Sequence, residues 1–239
     1  MELTMKYIYI TALFFAILFL NSCVKDNDSE LYDSPGNFAG LAVFNAIPNS
    51  TAVNLLVEGN RLNMTSEKLP FGGYISHRNL YPGAKVITVE NQNSKGETQR
   101  ITQNASLISG DIYSLFLYEE NGIKSILAKD NMVIPGNGYA KIRLANMVKD
   151  APVLAMSNGK SLQTLYADVP FKTVTQFIEV KAGEPLTFRI VPADSRVNLP
   201  EIVLENFSLE NKAIYTFMVK GLLNAAHENE EVSLTVIKF

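Results

Sequence analysis

The chain repeats itself. Gly59, Leu62, Leu69-Pro70-Phe71 and Gly83 recur one hundred positions later as Gly159, Leu162, Val169-Pro170-Phe171 and Gly183. Upstream, Leu41-Ala42-Val43-Phe44-Asn45 matches Ile142-Arg143-Leu144-Ala145-Asn146 with a one-residue shift. Downstream, Asn104-Ala105-Ser106-Leu107 and Ile112-Tyr113 match Asn206-Phe207-Ser208-Leu209 and Ile214-Tyr215 with a two-residue shift. Matches that keep their order while drifting slightly are what small loop changes leave between copies of one fold. A period near 100 residues is the length of a domain and not of a solenoid unit. Two similar domains are therefore expected at 38–132 and 138–239. They would be joined at Pro135-Gly136-Asn137-Gly138, a turn-rich hinge expected to be short and only partly flexible.

Within each copy the apolar period is two. Leu186, Phe188 and Ile190 alternate with Thr187 and Arg189, the pattern of a strand with one face in a core and one in water. Ile112 to Tyr118 and Ile214 to Val219 are almost continuously apolar, which predicts central strands covered on both faces. Turn chemistry agrees: Ser157-Asn158-Gly159, Glu58-Gly59-Asn60 and Glu120-Asn121-Gly122 each separate two apolar runs, as tight hairpin turns do. Apart from the N-terminal apolar run, only 222–231 has room for one short helical turn. Seven or eight strands in about 95 residues is sandwich arithmetic. The expectation is an all-β chain of two tandem immunoglobulin-like β-sandwiches, with Phe71 and Phe171 at equivalent core positions.

The N-terminus has a different logic. Lys6 precedes an apolar run from Tyr7 to Leu20, too short for a membrane span of about 20 residues and suited to the core of a signal peptide. The run closes at Leu20-Asn21-Ser22-Cys23, which resembles a bacterial lipobox, where a peptidase cuts before a lipidated cysteine. Residues 1–22 would then be a lipoprotein signal peptide. Cys23 would carry the lipid, whose chains hold the membrane at about 0.8 kcal/mol per buried methylene. The next segment, to residue 37, carries Asp26, Asp28, Glu30 and Asp33 against Lys25 alone. It is too poor in apolar surface to order itself and reads as an acidic linker. The stretch holding Lys25, Asp26, Asp28 and Glu30 resembles the acidic export signal of surface lipoproteins in Bacteroidota-type bacteria. Such a signal implies display on the outer membrane, a periplasmic position being the alternative.

Chemistry is sparse. Among 239 residues there are one cysteine, two histidines and a net charge of −3. That excludes an internal disulfide and a multi-cysteine metal site, and it removes the basic footprint that nucleic acid requires. Gly159-Lys160-Ser161 ends like a phosphate-binding loop, but the required glycine five residues earlier is Leu154. His77 beside Ser76 cannot share a proton with it, because neighbours on a strand point to opposite faces, and a solvated strand residue is expected. His227 among Glu228, Glu230 and Glu231 reads as an exposed loop, and Glu119-Glu120 as a solvated hairpin end. No catalytic residue, cofactor or metal is expected, and the chain is expected not to be an enzyme. Tyr74, His77, Arg78, Asn79 and Tyr81 form the candidate binding surface, since tyrosine and arginine combine large area with hydrogen bonding. Opposite strand parity is expected to place at least one of the two tyrosines in the core.

Several of these features together resemble the domain of unknown function 4397. They are the opening β-segment that ends in Asn45 or Asn146, the following Pro48 or Pro152, and the glycine turn at Gly59 or Gly159. The later segments Leu80-Tyr81-Pro82-Gly83 and Val180-Lys181-Ala182-Gly183 fit the same pattern. The resemblance covers both repeats and implies secreted or lipid-anchored bacterial proteins built from immunoglobulin-like sandwiches. The acidic residue that the family usually carries before the first glycine turn is replaced by Asn54 and Leu154, and no established chemistry comes with the resemblance. The functional expectation is a lipid-anchored binding or adhesion module with a glycan or protein partner. The alternative is an accessory subunit of an envelope complex.

Overall fold

The computed structural model describes residues 37–239, apart from 160–162, 195, 197, 198 and 200, and Asn37–Phe239 form one compact unit. The expected signal peptide, Cys23 and the acidic Lys25, Asp26, Asp28 and Glu30 lie outside the described residues, as do Lys160 and Ser161. Among the described residues no helix is long and apolar enough to cross a membrane.

The first repeat contains β1 (Ala39–Asn45), β2 (Ser50–Val57), β3 (Asn60–Arg61), β4 (Tyr74–Leu80), β5 (Gly83–Asn93), β6 (Thr98–Leu107), β7 (Ile112–Glu119) and β8 (Ile123–Asp130). The second contains β9 (Tyr139–Asn146), β10 (Leu154–Asn158), β11 (Gln163–Val169), β12 (Thr173–Val174) and β13 (Ile178–Lys181). It continues through β14 (Pro185–Pro192), β15 (Ile202–Ser208), β16 (Ile214–Lys220) and β17 (Ser233–Lys238). A 3-10 turn at Glu228–Glu230 supplies the short helix expected near there. Each repeat builds two sheets, ordered β4-β1-β7-β8 with β3-β2-β5-β6, and β12-β9-β16-β17 with β11-β10-β14-β15; β13 also pairs with β9. In both, the first strand pairs in parallel with the penultimate one, β1 with β7 and β9 with β16. The protein is an all-β sandwich protein.

Alternation explains the two cores. Val53, Leu55 and Val57 of β2 and Ile87 and Val89 of β5 point inward to meet Leu41, Val43, Leu115 and Leu117. Met156, Phe188 and Ile190 meet Ile142, Leu144, Phe217 and Val219 in the same way.

The duplication is retained in hydrogen bonds as well as in strands. The Asn45 amide donates to the Leu69 carbonyl (2.9 Å) and its Oδ1 accepts from the Ile47 N–H (2.9 Å). Asn146 donates to the Val169 carbonyl (2.9 Å) and accepts from the Val148 N–H (3.1 Å). Both amides are fully buried, so these bonds satisfy polar groups that would otherwise be stranded. The Tyr113 hydroxyl accepts from the Ile108 N–H (3.1 Å), and the Tyr215 hydroxyl from the Glu210 N–H (3.0 Å).

Two expectations need correction. Phe71 and Phe171 are equivalent in position but only half-buried. Phe171 belongs to a third cluster, outside both sandwich cores. The turn at Glu58-Gly59 has the positive φ values (51° and 78°) of a tight hairpin, whereas Gly159, in the stronger Asn-Gly signal, is not among the positive-φ residues. It instead lies against β14, where a Cβ would come within 3.1 Å of the Thr187 carbonyl.

Candidate functional site

The continuous apolarity of β7 and β16 has a specific cause. The outward faces of the two mixed sheets pack on each other, so that Ala42, Phe44, Phe116 and Tyr118 of the first repeat meet Ala145, Met147, Met218 and Ile237 of the second. Tyr118 meets Phe171 edge-on at 5.5 Å. In the corresponding place the Lys220 ammonium lies 3.9 Å from the Phe71 ring centre and donates to Ser233 Oγ at 2.8 Å. Equivalent contacts with the repeats exchanged are the mark of an isologous, two-fold-like interface. Burial pulls the Lys220 ammonium below its ordinary value. A Cβ at Gly72 would come within 2.5 Å of Lys220 Cε, so this glycine leaves room for the lysine to cross. The hinge residues are thus not the only link between the repeats.

One polar cluster breaks this symmetry. Arg143 stands where the first repeat has Ala42, is 2% exposed, and reaches across the interface. Its Nη1 lies 2.6 Å from Asp130 Oδ1, its Nη2 donates to Ser114 Oγ at 2.8 Å, and its Nε donates to Thr216 Oγ1 at 2.8 Å. Phe177 and Phe116 cover its flat faces, with ring centres at 4.4 and 5.3 Å. Burial alone would raise the Asp130 carboxyl, but the neighbouring His77, Arg143 and Ser114 outweigh it and hold the group below the usual carboxylate range. His77 Nε2 is 3.9 Å from Asp130 Oδ2, beyond hydrogen-bond length, so Arg143 and Ser114 carry the stabilisation. Burial draws Arg143 down, and Asp130 offsets part of that.

The sequence-derived binding set does not gather at one place. β4 runs the length of the sandwich and distributes it. Tyr74 stacks over Phe44 at 6.4 Å near one end, while Tyr81 lies against Phe38 at 5.3 Å at the other. Neither tyrosine is core, at 49% and 72% exposure. A register shift between Leu41 and Val43 opposite β4 breaks simple parity, and Tyr81 falls just beyond the strand. Arg78 is paired with Glu67 at 2.6 Å, and Asn79 is exposed. His77, expected to be solvated, faces the interface beside Phe239 at 5.0 Å. Its buried Nε2 has no hydrogen-bond partner among the described residues.

The two ends of this body differ. β1 and β7 run parallel and begin where the chain comes in at Asn37; β8 ends there at Asp130, and the linker to β9 starts there. β9 and β16 likewise run parallel and finish at the opposite end. There the duplication was not copied. β7 and β8 are joined by Glu120-Asn121-Gly122, but β16 and β17 are joined by residues 221–232. Asp150 holds this long connection, accepting from the Leu223 and Asn224 N–H groups at 2.8 and 3.1 Å. A cleft of about 450 Å³ opens among Leu222, Leu223, Asn224, Ala225, Glu231 and Val232. Sequence reasoning missed it as a site; the signal was the length mismatch between Glu120–Gly122 and 221–232. Among the described residues no group of three His, Cys, Asp or Glu side chains is placed to hold a metal ion, His227 and its glutamates included.

The geometry defines a class: an all-β protein of two duplicated sandwiches fused across a largely apolar interface that encloses one buried charged cluster. Residues 39–157 match the model of the family described as Domain of unknown function (DUF4397), and the chain is a DUF4397-domain protein. The match runs from β1 into β10, so it takes in the first sandwich and the opening strands of the second. A comparison with curated protein sequences returns no match. Among solved structures, the chain is similar to the Bacillus anthracis TIE protein at 13% identity and a TM-score of 0.24, over 85% of this chain and 44% of that one. It thus spans less than half of that protein. It is also similar to a candidate cell adhesion protein from Bacteroides fragilis at 9% identity and a TM-score of 0.21, over 85% of this chain and 97% of that one.

Proposed function

We propose that the chain is a lipid-anchored, non-catalytic binding or adhesion module of the cell envelope, exposed on the outer membrane. In this reading Cys23 carries the lipid, and Lys25, Asp26, Asp28 and Glu30 act as the export address. The observation that supports it is the inequality of the two ends. The chain comes in at one end, and the loop that departs from the duplicated template, 221–232, is carried at the other, where it is held by Asp150. Loops fixed on a rigid β scaffold are where recognition is commonly placed. The cleft brings the apolar Leu222, Leu223 and Val232 together with the polar Asn224 and Glu231, a combination of apolar lining and a few polar groups that a small binding site uses.

The test is to probe arrays of glycans and envelope proteins with the full chain and with Asn224→Ala/Glu231→Ala, two exposed positions. Binding by the natural chain and its loss in the variant is the expected result. Equal binding by both places recognition elsewhere. Binding to neither array, with a stoichiometric partner recovered from solubilised envelopes, favours the accessory-subunit alternative.

A further inference from the structure

Exposed apolar side chains are not scattered evenly over this protein. Of the five most exposed large apolar residues among those described, four are Tyr81 (72%), Val133 (71%), Ile134 (68%) and Ile108 (59%). All four lie at the end where the chain comes in. Phe38 packs against Tyr81 with ring centres 5.3 Å apart and the planes tilted, and its carbonyl accepts from the Gly110 N–H at 2.8 Å, which brings the turn bearing Ile108 alongside. Gly110 and Asp111 line a cleft of about 530 Å³ together with Met132 and Val133, so the inter-repeat linker closes the same surface. Lys141 Nζ fixes that linker by donating to the Val133 carbonyl at 2.6 Å.

The second repeat provides an internal control. Its counterpart of Tyr81 is Lys181 and its counterpart of Ile108 is Glu210, with side chains 76% and 64% exposed. The fold therefore tolerates charge at these positions, and the apolar choice belongs to the first repeat and the linker. Beside the Gly110 cleft, Lys129 and Asp111 are paired, with Nζ 2.7 Å from Oδ2.

We propose that this end, through Tyr81, Ile108, Val133 and Ile134, rests in the headgroup and acyl boundary of the membrane that holds the protein's own anchor. The inference rests on the lipid-anchor reading. Asn37 lies 14 positions after Cys23, a distance of at most about 50 Å when the chain is fully extended. The surface nearest to the chain's point of arrival is thus kept close to lipid. A tyrosine with aliphatic neighbours suits that boundary, where an apolar body can be buried while a hydroxyl stays wet. The opposite end, with 221–232, is then directed outward.

The test uses the full processed chain, extracted from membranes and reconstituted into phosphatidylcholine vesicles whose acyl chains are brominated. The sequence contains no tryptophan, so Ile134→Trp and Val203→Trp each introduce a single reporter at an exposed site. Emission of Ile134→Trp should fall by roughly half relative to unbrominated vesicles, as for a side chain in the acyl boundary, while Val203→Trp stays unchanged. Adding Tyr81→Ser, Ile108→Ser and Val133→Ser should restore the emission. If the chain floats with the vesicles but Ile134→Trp is not quenched, or both reporters are quenched alike, the contact is overturned and the anchor stands. If the natural chain does not float at all, the anchor reading fails and this contact falls with it.

Discussion

Arg143 of the second sandwich and Asp130 of the first lie 2.6 Å apart in a space that neither sandwich closes alone. Both side chains are almost wholly withdrawn from water, at 2% and 0% exposure. Removing one partner from such a pair leaves the other charged and buried, at a cost of about 3–5 kcal/mol, whereas replacing both with apolar groups is often neutral. Arg143→Met should therefore lower unfolding stability by about that amount in urea titrations, and Arg143→Met with Asp130→Leu should recover most of it. A single variant as stable as the natural chain would mean that the pair does not hold the repeats together.

The same pair gives the protein an acid limit. Asp130 has a carboxyl held below its ordinary value, so its contribution is present above the unfolded pKa and is lost as pH falls through the lower folded one. The stability difference between the natural chain and Asp130→Asn should be constant from pH 7 to about pH 5 and shrink below about pH 4. A difference that grows on acidification would contradict the direction of the shift.

Phe171 and Phe188 separate interface from core. Phe188 is fully buried in the second sandwich, and Phe188→Ala should cost about 3–5 kcal/mol. Phe171 is half-buried and gains its contact from Tyr118 of the other repeat, so Phe171→Ala should cost only about 1–2 kcal/mol, from partial burial and one edge-on aromatic pair. Equal losses in denaturant titrations would place Phe171 in a core after all.

Much of the fold was legible in particular residues. Leu186, Phe188 and Ile190 announced a strand by alternation, and the almost continuously apolar runs at 112–118 and 214–219 announced two covered faces. What covered the second face was not legible, because the partner surface comes from the other repeat and no local pattern states which sheets meet. A clue was present in Arg143, a charge inside the apolar run Ile142-Arg143-Leu144-Ala145, which only a buried acid could balance. The binding set along β4 was misleading for a related reason. Parity counting assumes an unbroken pleat, and the register shift opposite β4 at Leu41 and Val43 breaks it.

Cys23→Ser should abolish incorporation of radioactive fatty acid and leave the protein released or unprocessed. Normal labelling of that variant would refute the lipobox reading of Leu20-Asn21-Ser22-Cys23.

The central claim is that the chain is displayed outward, with its distal loop exposed and its opposite end toward lipid. Cys23 is the only cysteine and, in the proposed reading, is taken up by the anchor, so an introduced thiol then reports its own position. Asn224→Cys and Ile134→Cys are placed at the two ends, and intact cells are treated with a membrane-impermeant maleimide. The account predicts rapid labelling at 224, weak labelling at 134, and no gain at 224 when the outer membrane is broken. Labelling at 224 that appears only after the outer membrane is broken would contradict it and place the protein in the periplasm.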